Sequence, residues 1–178
     1  MIWINLSSVR VINIAMIMTT PQYERKFFGS GWIDSDNDGQ DTRQEVLLEF
    51  STNTVQFADD DQCRIIRGRW ISLFTNDIHI DASELDIDHI IPLKWAWDHG
   101  AHVWSKDKRI EFANDPANLV VVEASLNRQK GAKGPELWLP PKNQNIYVTR
   151  WKRLMIKYNI AASYSTILIL LSQLHSDV

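Results

Sequence analysis

The run Leu85-Asp86-Ile87-Asp88-His89-Ile90-Ile91-Pro92 decides the fold, together with Asn118-Leu119-Val120-Val121-Val122 and Ser125-Leu126-Asn127-Arg128-Gln129-Lys130-Gly131 downstream of it. The first reads as a short strand over 85–91, ended by Pro92. The second is a short apolar run of the kind that forms a buried strand. In the third, Ser125 is expected to N-cap a helix that carries Leu126, Asn127 and Arg128 and closes at Gly131. Between the strands, residues 93–97 and 106–113 read as short helices, and Asn114-Asp115-Pro116 as a turn. Strand, connection, strand and helix thus form a core at about residues 85–131.

Around that core, residues 42–50 place Val46, Leu47 and Phe50 at helical spacing. Residues 63–74 are rich in β-branched and aromatic side chains and read as a strand or hairpin, with Gly68 as a bulge. Pro140-Pro141 marks a linker, and two helices near 147–158 and 164–175 finish the chain. The class is α+β. A length of 178 residues sets one domain, and 44% hydrophobic with 10% aromatic residues is a globular composition. Eight tryptophans are read as core anchors.

Residues 1–20 form an apolar-rich segment ahead of a domain at 21–160, and 161–178 are expected to pack on that domain as a C-terminal helix. The apolar runs at 11–18 and 167–171 are too short to span a bilayer, so no membrane partner is expected. The first twenty residues resemble a signal peptide weakly. They have no basic residue before Arg10 and no small-x-small site before Pro21, and a start at Met16 or Met18 is the alternative. Cys63 stands alone, which excludes an intrachain disulfide and favours a reducing, cytoplasmic setting over secretion. A monomer is expected.

The net charge of −3 argues against a nucleic-acid binder, but its distribution does not. Residues 34–61 carry nine acids against Arg43 alone. Residues 124–158 carry Arg128, Lys130, Lys133, Lys142, Arg150, Lys152, Arg153 and Lys157 against Glu136 alone. A polyanion can meet the second half locally, and a solvated basic helix face is the other reading.

Phosphodiester hydrolysis needs a base for water, a cation on the phosphate and leaving oxygens, and a frame that aligns them. Asp88 and His89 supply a carboxylate and an imidazole side by side. Adjacent strand residues point to opposite faces, so both serve one site only where the strand is ending. An imidazole that is neutral at pH 7 accepts a proton readily. Asp88 is a hard oxygen ligand for Mg²⁺ or Mn²⁺, and the Asn127 amide oxygen offers a second.

These runs resemble the HNH, or ββα-metal, nuclease motif. Asn118 and Asn127 stand nine positions apart, as a strand followed by one helical turn requires. Trp95-Ala96-Trp97 with Gly100, Phe112-Ala113-Asn114-Asp115-Pro116 and Trp138-Leu139-Pro140-Pro141 are similar to a bacterial HNH subgroup that includes secreted nucleases. The likeness reaches back to Gly39-Gln40-Asp41-Thr42-Arg43 with Glu45-Val46-Leu47, covering about residues 30–160. It implies a ββα-metal core with short helices inserted between its strands and helical elements after it. It further implies an endonuclease acting on DNA, with RNA as the alternative. On that pattern His89 is the general base, Asp88 and Asn127 are ligands of one Mg²⁺ or Mn²⁺, and Asn118 pins the loop between strands. Asn127 in place of a third-letter His favours those cations over Zn²⁺. No Cys-x-x-Cys pair flanks the core, so no zinc knuckle is implied. Secreted relatives carry Cys where Gln40 stands, which lowers the expectation of an extracellular enzyme.

Other residues carry weaker signals. Arg128, Lys130 and Lys133 suit phosphate contacts, or simply complete a helix C-terminus. Arg43 can reach a phosphate or form a structural ion pair. Asp34, Asp36, Asp38 and Glu45 match the spacing of a Ca²⁺ loop, although the flanking Gly29-Ser30-Gly31-Trp32 is no entering helix. His99 and His102 read as a surface pair, and His79 and His175 carry no signal. A nucleic-acid-binding module with a vestigial site and a calcium-binding protein are the alternative functions.

Overall fold

The computed structural model describes residues 20–161 and 163–172. The apolar segment expected at 1–20 therefore lies, apart from Thr20, outside the described residues, as does the end of the expected C-terminal helix.

Helix α1 (Thr42–Phe50) has the bounds expected of it, and the Asp41 side chain caps it by accepting from the Gln44 N–H at 3.1 Å. Strands β1 (Gln56–Phe57), β2 (Ile65–Ile71) and β3 (Ile78–Asp81) then form an antiparallel sheet in that order. The expected irregularity at Gly68 is present, since the β2–β3 register shifts between Arg67 and Trp70. A Cβ on Gly68 would lie 2.6 Å from the Trp70 ring, whose indole N–H donates to the Leu47 carbonyl. Glycine leaves room for that ring.

Strand β4 (Leu85–His89) pairs antiparallel with β5 (Leu119–Glu123), in register from Leu85 opposite Glu123 to His89 opposite Leu119. Between them lie α2 (Leu93–Asp98) and α3 (Lys106–Asn114). Helix α4 (Ala124–Lys130) follows β5 with no loop. Ser125 is accordingly inside the first turn and does not cap it. Glu123 holds the cap position, and its carboxylate accepts instead from Ser72 and Thr75. Gly131 ends α4 at φ 53°, as its position implied.

Helix α5 (Gln144–Tyr158) starts before the expected 147, after Asn143 in the left-handed region. Helix α6 (Tyr164–Ser172) packs on it through Leu170, while the Thr166 hydroxyl donates to Glu136 at 3.0 Å. Among the described residues no helix is long and apolar enough to cross a membrane.

The β4–β5 ladder is buried on both faces. Leu85, Ile87, Leu119 and Val121 join Val46, Leu47 and Trp70 in one apolar cluster. Val120 and Val122 join Phe28, Phe112, Tyr147 and Trp151 in the other. Two-sided burial explains why residues 119–122 are apolar without alternation.

Candidate active site at the end of strand β4

Alternation along β4 puts Asp86 and Asp88 on one face and Ile87 and His89 on the other. The strand stops at His89, and a cavity of about 310 Å³ at that end is lined by both Asp88 and His89. Asn127, Trp32, Arg25 and Lys94 line it as well.

The His89 imidazole is buried and stacks on Trp32, with ring centroids 5.5 Å apart and planes 19° apart. Its Nε2 lies 2.9 Å from the Ala113 carbonyl, which can only accept, so Nε2 bears the hydrogen and Nδ1 keeps the lone pair. Burial pushes the imidazole down to about 3; the Ala113 hydrogen bond opposes that shift, and the Arg25 and Lys130 charges add to it. The ring is neutral at pH 7.

Asp88 Oδ1 accepts from the His89 N–H at 2.7 Å and from Lys130 Nζ at 3.1 Å. Oδ2 lies 2.9 Å from the same ammonium but off its hydrogen-bonding direction, leaving a buried carboxylate oxygen with no directed donor. Burial raises the Asp88 carboxyl and lowers the Lys130 ammonium, while their mutual attraction works against both shifts. The Asn127 amide donates to Asp86 Oδ2 at 3.0 Å, which leaves its own oxygen without a donor among the described residues. The Asp88 carboxylate, held against the Lys130 ammonium, and the Asn127 amide oxygen belong to residues lining one cavity and are hard oxygen donors of the kind that Mg²⁺ or Mn²⁺ takes, so these residues fit such a cation by donor type.

Asn118 is fully buried and lines no part of the cavity. Its side chain accepts from the Ile91 N–H at 2.9 Å and donates to the Ile91 and Phe112 carbonyls at 3.4 Å each. It ties the exit of β4 to the end of α3, next to the carbonyl that holds His89.

Lys130, expected among the phosphate contacts, is instead fully buried on Asp88 and the His89 carbonyl and reaches no outside ligand. Arg43 lies away from the cavity and donates to the Ala82 and Leu85 carbonyls at 3.2 Å each, which closes α1 onto β4. Arg128 is exposed on α4 outside the cavity lining, and Lys133 donates to the Gln129 carbonyl. The carboxylates of Asp34, Asp36 and Asp38 are exposed and lie within 4.8 Å of one another. Asp34 accepts from the Asn37 and Gly39 N–H groups, so the loop is organised by its own backbone. Glu45, on α1, is raised by burial and then by the charges of Asp36, Asp38 and Asp34. His99 and His102 donate to the Trp95 and Trp97 carbonyls at the end of α2.

The sequence reading missed Arg25, Trp32, Lys94 and Asp86. Asp86 was legible in the i, i+2 spacing that sets it beside Asp88. Arg25 and Trp32 come from far upstream, and only tertiary packing brings them here.

Residues 41–162 match the family described as GmrSD restriction endonucleases, C-terminal domain. An uncharacterized secreted protein of Arthroderma benhamiae is 40% identical over 118 residues, covering 65% of this chain and 55% of that relative. The chain thus spans little more than half the length of that curated relative. No solved structure matches it.

Proposed function

The chain belongs to the family of GmrSD restriction endonuclease C-terminal domains, and with it to the HNH-type nucleases, and from that premise we propose that it is a metal-dependent endonuclease that hydrolyses DNA. The observation that carries this reading is a neutral His89, held through Nε2, on the same cavity as the Asp88 carboxylate and the Asn127 amide. Strands β4 and β5 with helix α4 are, on this reading, a ββα-metal core.

His89 Nδ1 takes the proton of a water while Nε2–H stays on the Ala113 carbonyl, so the ring keeps one orientation through the step. The ring is neutral at rest, so the Nδ1 lone pair is free to accept that proton. Asp88 and Asn127 would hold one Mg²⁺ or Mn²⁺, and Lys130 fixes Asp88 from behind. When bound, such a cation would supply positive charge against the negative charge that grows on the phosphate. Asn118 fixes the loop and touches no reacting atom.

The test is plasmid cleavage by purified protein with Mg²⁺, Mn²⁺ or excess EDTA, for wild type, Asp88→Asn and Asn127→Ala. The account expects nicking that stops in EDTA and a raised Mn²⁺ requirement in both variants. Salt-sensitive DNA binding with no cleavage under any metal would favour the vestigial binding module instead.

A further inference from the structure

We infer that the segment from Pro21 to Ile33, which precedes the matched family region, is a working part of the site and that Arg25 is its clamp on the scissile phosphate. The inference rests on the nuclease reading above. The segment is anchored on both sides of Arg25. Before it, the Trp97 indole donates to the Pro21 carbonyl at 2.6 Å. After it, Phe27 stacks on Trp97 with centroids 4.9 Å apart, Phe28 is fully buried, and Arg109 Nε donates to the Phe27 carbonyl at 2.9 Å. Further on, Thr42 ties down the Ile33 carbonyl through its N–H and its hydroxyl, just past the Trp32 ring that covers His89.

Arg25 lies on the short turn between these anchors, lines the cavity, and is close enough to His89 for its charge to act on the imidazole. The other cations near the cavity are engaged. Lys94 lies 2.6 Å from Asp98, and Lys130 is buried on Asp88. The neighbouring Glu24 is paired with Lys26, and among the described residues Arg25 has no carboxylate within ion-pair distance. A guanidinium presents two parallel N–H donors that match two non-bridging phosphate oxygens. Negative charge on those oxygens grows as water attacks, so the clamp holds the transition state more tightly than the ground state. At rest the same positive charge disfavours a protonated His89.

The experiment compares wild type, Arg25→Ala, Arg25→Lys and His89→Ala in two measurements. One is single-turnover cleavage of a DNA duplex with Mn²⁺. The other is binding of the same duplex in EDTA over a salt series. Arg25→Ala is expected to slow cleavage by about 100-fold or more and to lower the slope of log K against log salt by about one. Arg25→Lys is expected to keep the slope and recover only part of the rate. Cleavage by Arg25→Ala within about threefold of an active wild type, or an unchanged salt slope, overturns the clamp while leaving the nuclease reading intact. A wild type that never cleaves, with a salt slope that still depends on Arg25, overturns the nuclease reading and keeps the phosphate contact.

Discussion

Lys130 has no exposed surface, and its ammonium meets both carboxylate oxygens of Asp88 and the His89 carbonyl. Removing one partner of such a buried pair strands the other. Lys130→Met should lower stability by about 3–5 kcal/mol, read as a fall in urea midpoint, and adding Asp88→Asn should recover much of it. His89 gives a second prediction. Its pKa is depressed from 6.5 to about 3, so between those values the unfolded chain binds a proton that the folded chain refuses. Stability therefore falls as pH drops below 6.5, with a slope approaching about 1.4 kcal/mol per pH unit from this group. Urea midpoints at pH 7 and pH 5 should diverge more for wild type than for His89→Gln, which does not titrate. At this scale the grouping of Asp88, His89 and Asn127 on one cavity was legible from their residue types and spacing. Lys130 was misread, because burial is a property of what packs over α4 and leaves no mark on the local pattern.

The β4–β5 ladder and α4 are legible for a related reason. Residues 119–122 are apolar on both faces because an apolar cluster covers each. Strands β1 and β3 escaped notice because two and four residues carry too little pattern, and β3 exposes Ile78 and Ile80. Ser125 looked like a cap because its residue type favours that job, yet β5 runs straight into α4 and leaves no loop for a cap to start from. Asn118 holds its connection through three hydrogen bonds. Asn118→Ala should cost about 1–3 kcal/mol and slow cleavage by loosening the Ala113 region that orients His89. Mn²⁺ binding, followed by calorimetry, should change little. Gly68→Ala drives a methyl against Trp70 and should cost about 1–3 kcal/mol in the same melting assay.

For the molecule as a whole, the basic stretch at 124–158 is a poorer guide to the proposed nucleic-acid face than its sequence promised. Lys130 is buried, Arg150 donates to the Ala117 and Leu119 carbonyls, and Lys157 lies 2.7 Å from Asp115. With Lys133, which donates to the Gln129 carbonyl, four of the eight bases there are thus engaged within the fold, and the salt slope of DNA binding should fall well below the eight phosphate contacts a simple count implies, at about 0.9 per contact. The site is instead assembled from strand β4, helix α4 and the segment ahead of the matched region, a convergence that one stretch of sequence cannot display. The central claim is that His89 takes the proton from water. It is tested most directly by single-turnover cleavage with saturating Mn²⁺, comparing wild type with His89→Ala in the presence and absence of added imidazole. The account predicts a loss of about 10²–10⁴ in the variant, unchanged DNA and Mn²⁺ binding, and partial recovery by imidazole. Cleavage by His89→Ala at a rate close to wild type would contradict it.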